Sequence, residues 1–64
     1  MIIEQHTMFI YFKAGQNFAE REREFTNQIH LIRQDIESSG CKYLDYKENT
    51  RSDLKASVTV FFSK

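Results

Sequence analysis

Three side chains in this chain offer acid–base or nucleophilic chemistry near neutral pH: His6, His30 and Cys41. A histidine working as acid or base needs a partner within hydrogen-bond reach. Neither His6 nor His30 has one at a spacing that a helix or strand would bring close. Cys41 follows the end of a helix-like segment, where the partial charge is negative and gives a nucleophilic thiol no electrostatic help. Scattered over positions 6, 30 and 41, the three also lack the paired spacing of a zinc site. Asp45 and Glu48 stand three residues apart in a strand-like stretch, which sends them to opposite faces. No phosphate-cradling glycine loop, CxxC or HExxH occurs. The expectation is a protein that is not an enzyme and uses no metal or cofactor.

Binding chemistry is better represented. TMFIYFK, residues 7–13, places Met8, Phe9, Ile10, Tyr11 and Phe12 in one unbroken apolar run. A strand points successive side chains to opposite faces, so this run loads both faces of a sheet. If Ile10 and Phe12 face a covering element, Phe9, Tyr11, Tyr43 and Phe61 are left as an aromatic patch on the other face. That patch is the expected interface with a second copy or another partner. A second candidate is the segment KENTRSDLK (47–55), where Lys47, Arg51 and Lys55 could hold an anionic group such as a nucleotide phosphate.

The elements that must position these groups follow from periodicity. Residues 2–13 read as a strand and residues 14–17 as a turn around Gly15. Phe18, Phe25, Ile29, Ile32 and Ile36 recur at steps of 7, 4, 3 and 4, an apolar stripe along one helix. Asn17 and Glu20 have the form of a capping box, and Gly40 stands where a left-handed residue ends a helix, with Cys41 set to touch Ile36. AEREREF (19–25) pairs Glu20 with Arg23 and Arg21 with Glu24, a solvated helix face. Residues 42–47 and 54–62 read as two strands joined by a polar loop, 48–53. The predicted fold is α+β: a single βαββ domain over residues 1–64, with a three-stranded antiparallel sheet in the order 1-3-2 and the helix on one face.

Size and charge narrow the function classes. A 64-residue chain buries only about 60% of its unfolded surface, so association is the expected route to stability. With one cysteine there is no internal disulfide, and a closed dimer is the simplest assembly, formed either by packing of the open sheet faces or by pairing of the strand-one edges. Nine basic residues balance nine acidic ones, which argues against nucleic acid as a partner. No signal peptide or membrane span is legible, and a lone cysteine fits a reducing, cytoplasmic compartment.

The βαββ order and the helix-to-strand junction SSGCKYLDYKEN resemble small accessory proteins of bacteriophages and of some bacterial sporulation loci. That resemblance implies stoichiometric action. The first expectation is an inhibitor that blocks a host protein by binding it. The alternative is an oligomeric sponge for a small anionic signal such as a nucleotide.

Overall fold

The helix starts and stops where its caps dictate. Asn17 Oδ1 accepts the Glu20 amide at 2.8 Å, and the Asn17 amide donates to Glu20 Oε1 at 3.2 Å, a complete capping box. At the far end Gly40 takes φ +85°, a region that L side chains enter only with strain. The Cys41 amide then donates to the Ile36 carbonyl at 3.2 Å, and the Gly40 amide to that of Glu37 at 3.1 Å. These two bonds satisfy carbonyls that would otherwise be orphaned.

The computed structural model describes residues 2–64. Its elements are β1 (Ile3–Tyr11), α1 (Phe18–Ser38), β2 (Lys42–Arg51) and β3 (Lys55–Ser63). The sheet is antiparallel throughout, in the order β1-β3-β2, with α1 on one face. The βαββ fold expected from periodicity is the one observed. The core sits between α1 and β3: Ala56, Val58, Val60 and Phe62 are buried at alternate positions of the central strand, with Ile10, Phe12 and Phe25 beside them. Ile29, Ile32 and Ile36 pack onto that cluster from the helix.

Three local expectations are corrected. Residues 48–53 do not form a long loop, because β2 continues to Arg51 and the hairpin closes through a tight turn. There the Ser52 amide donates to the Lys55 carbonyl at 2.8 Å, and the Ser52 hydroxyl accepts the amides of Leu54 and Lys55. A nine-residue β3 needs a partner of similar length, and the polar residues 48–51 supply backbone rather than apolar side chains. Phe18, the first member of the apolar stripe, is 68% exposed. Arg21 and Glu22 occupy the inward positions one turn later and reach the hairpin end instead. Tyr43 does not join the open face, for a reason that lies in β2.

That strand is interrupted twice. Its register with β3 slips between Tyr43 and Asp45 and again between Glu48 and Thr50, leaving Leu44 and Asn49 without partners. Each inserted residue reverses the face assignment of the residues beyond it. Tyr43 therefore pairs with Phe62 and Tyr46 with Val60, so both lie on the helix side although three residues separate them.

Urea denaturation checks the caps and the core separately. Gly40→Ala should cost about 1 kcal/mol, purely from backbone strain, since no atom lies within 4 Å of the added methyl. Asn17→Ala should also cost about 1 kcal/mol. Val58→Ala, at a position with no exposed surface, should cost about 2 kcal/mol.

Candidate functional site

The register decides what the open face displays. On β1 the odd-numbered residues point away from the helix: Ile3, Gln5, Thr7, Phe9 and Tyr11, opposite Ser63, Phe61, Thr59, Ser57 and Lys55 of β3. β2 adds Lys42, Asp45, Lys47 and Thr50 to that face, opposite Ser63, Phe61, Thr59 and Ser57. Of the expected aromatic set, Phe9, Tyr11 and Phe61 are here and Tyr43 is not.

The aromatic residues are also not contiguous. Phe9 stands opposite Ser57, four residues along β3 from Phe61, about 13 Å at the rise of a strand. A polar ladder runs between them. Thr7 Oγ1 and Thr59 Oγ1 are 2.9 Å apart, and Asn49 Nδ2 donates to Thr59 Oγ1 at 2.9 Å. The ladder thus spans all three strands, and its third member is the unpaired bulge residue. Asn49 was hidden in the sequence because its segment lacks strand-like alternation; the length of β3 is the signal that could have placed it in a strand.

At one end of the face Phe9 and Tyr11 form a tilted pair with ring centroids 6.3 Å apart, 52% and 68% exposed. Lys55 Nζ lies 5.1 Å from the Phe9 centroid, a cation over the ring. Lys42 and Lys47 carry the same sign along β2, against the one carboxylate of Asp45. An aromatic pair with the Lys55 ammonium over one ring, on a face that also carries Lys42 and Lys47, suits an apolar contact beside carboxylates.

The expected anion site is not assembled. Lys47 and Lys55 lie on the open face, whereas Arg51 pairs with Ala56 and faces the helix. Its guanidinium stacks 4.5 Å from the Phe25 centroid and 5.9 Å from that of Phe12. It donates to Glu22 from α1, and its Nε and Nη2 donate to Glu48 Oε1 at 3.0 and 2.6 Å. Arg51 therefore ties the hairpin end to the first turns of the helix, with two carboxylates already on it.

The other titratable groups lie on the helix side or the surface. Arg33 sits 5.3 Å over the Tyr43 ring. Burial pushes the Tyr43 phenol above its ordinary range, the charge of Asp45 adds to this, and Arg33 opposes it. His6 packs edge-on against Phe62 at 5.4 Å, while His30 is exposed. The helix runs closest to β2. The β1 side is left with an open cleft of about 210 Å³ lined by His6, Met8, Asp35, Ile36, Cys41 and Phe62, among others. That is smaller than the ~300–1,000 Å³ of ordinary ligand sites. Among the described residues no cluster of His, Cys, Asp or Glu could hold a metal ion. Nor is any helix among them long and apolar enough to cross a membrane. No family model, curated protein or solved structure matches the chain.

Two measurements check this assignment of roles. Arg51→Ala should lower stability by about 1 kcal/mol, because it strips the cover from Phe25 and leaves Glu22 and Glu48 without their shared cation. Arg51→Met should recover the packing share of that loss. The folded state holds the Tyr43 proton more tightly than the unfolded chain does. Its stabilising share is therefore intact below pH ~10 and lost as pH rises through the folded-state value. Tyr43→Phe should flatten the alkaline fall in stability seen by thermal melts.

Proposed function

We propose that this chain is a non-enzymatic binding protein that occupies a protein partner stoichiometrically, using the open face of its sheet. The observation that carries the reading is the Phe9–Tyr11 pair, more than half exposed and flanked by Lys55, on a face that no described element covers. Large aromatic side chains, Tyr among them, are residue types that anchor protein interfaces, and the Lys55 charge beside the pair adds complementarity to an acidic rim. The partner this chemistry fits offers an apolar contact ringed by Asp and Glu. The reading agrees with the inhibitors among the small bacteriophage and bacterial proteins that the sequence resembles, and assigns the protein to the cytoplasm, where such partners are met.

The rival reading, a sponge for a small anion, has less support. Arg51 is compensated by Glu22 and Glu48, and it faces away from Lys47 and Lys55.

Affinity capture from host lysate, repeated with a Lys47→Glu/Lys55→Glu variant, tests the proposal. The expected result is one stoichiometric partner whose affinity falls at least tenfold in the variant, with the melting temperature held. A partner retained equally by the variant would remove the open face from the function. Heat stabilisation by a cyclic or linear nucleotide, lost in Arg51→Ala while the chain stays folded, would establish the sponge instead.

A further inference from the structure

The two edges of the sheet are built differently. The β2 edge carries two bulges, the device that bends an edge and spoils its hydrogen-bond repeat. β1, the other edge, runs nine residues in continuous register with β3, from Ile3 opposite Ser63 to Tyr11 opposite Lys55. It contains no proline, no lysine and no bulge.

Two hydrogen bonds establish which backbone groups this edge presents. The Phe12 amide donates to the Leu54 carbonyl at 2.8 Å, and the Lys64 amide to the Ile2 carbonyl at 3.1 Å. Between these points the register never shifts, so the even-numbered residues of β1 bond to β3. The Thr7 and Thr59 hydroxyls meet at 2.9 Å across an odd-numbered pair, the closer, non-hydrogen-bonded kind. Ile3, Gln5, Thr7, Phe9 and Tyr11 therefore direct their N–H and C=O groups outward.

We propose that a second copy of this chain pairs with β1 antiparallel about a two-fold axis at Thr7. This register engages every outward group of both edges, whereas a shift of two residues leaves one residue of each strand unpaired. It sets Ile3 against Tyr11 of the second copy and Gln5 against its Phe9. Ile3 and Tyr11 are 62% and 68% exposed in the single chain, and each covers the other in the pair. On the helix side His6 meets Met8 of the second copy. Glu4 and His6 both lie on the helix side of β1, so like charges do not oppose each other on the open face. The product is a six-stranded antiparallel sheet with both helices on one side and the two open faces side by side. This pairing stands independently of the partner proposed above.

Sedimentation at micromolar concentration should give twice the chain mass. In a Cys41→Ser background, Thr7→Cys should form a disulfide between copies under mild oxidation, since the paired Cα atoms would lie ~5.5 Å apart. Chemical synthesis with an N-methylated Thr7 amide blocks the outward edge and leaves the bonds to β3 intact. That protein should sediment as a folded monomer. A monomeric unmodified chain overturns the proposal, even if its edge accepts a strand from another protein. A dimer that survives N-methylation, or one in which the Thr7→Cys thiols do not crosslink, places the interface elsewhere and overturns it equally.

Discussion

Ala56, Val58, Val60 and Phe62 alternate along β3, and all four are buried against the helix and its neighbours. A side-chain period of two leaves that strand no second register, because a slip of one residue would carry the whole set to the other face. Among the described residues β3 is also the only strand with two neighbours, so its phase is imposed on β1 and β2 alike. The stripe Phe25, Ile29, Ile32 and Ile36 then has one face on which to settle.

One helix covers one face, and this accounts for the character of the other. A second apolar face on so small a sheet would drive aggregation. The chain instead runs Thr7, Thr59 and Asn49 across the middle of the open face, where their hydrogen bonds satisfy one another. On the open face the ladder thereby separates the strongly exposed Phe9–Tyr11 pair, next to Lys55, from the half-buried Phe61. The bulge at Asn49 serves the ladder by turning an amide toward Thr59, and it bends the β2 edge at the same point.

Arg51 solves a related problem at the hairpin end. The stem and guanidinium cover Phe25 and Phe12, while Glu22 and Glu48 supply counter-charge from two different elements. A lysine could not stack and bridge in this way, because its charge is a point at the end of a flexible stem. At the same end Phe18 stays exposed, while Arg21 and Glu22, one turn later, bond to the Gln16 carbonyl and to Arg51.

The helix, its two caps, the order of elements and the phase of β3 are all written in the linear chain. Each rests on local physics: a period of 3.6 or 2, an asparagine accepting an amide, a glycine free to take positive φ. The face that Ile10 and Phe12 take stood only as a condition in the sequence, since both parities of residues 8–12 are apolar; the register that sets Ile10 opposite Ala56 decides it. Where Tyr43, Arg51 and Asn49 point emerges only on folding. Each depends on a bulge, and a bulge is placed by the fit between two strands, which no single strand encodes. Residues 48–51 read as a loop because nothing apolar alternates there, yet they pair because β3 offers unpaired backbone along its whole length. Backbone demand decided that segment. Side-chain pattern, the only signal a sequence exposes, was silent on it.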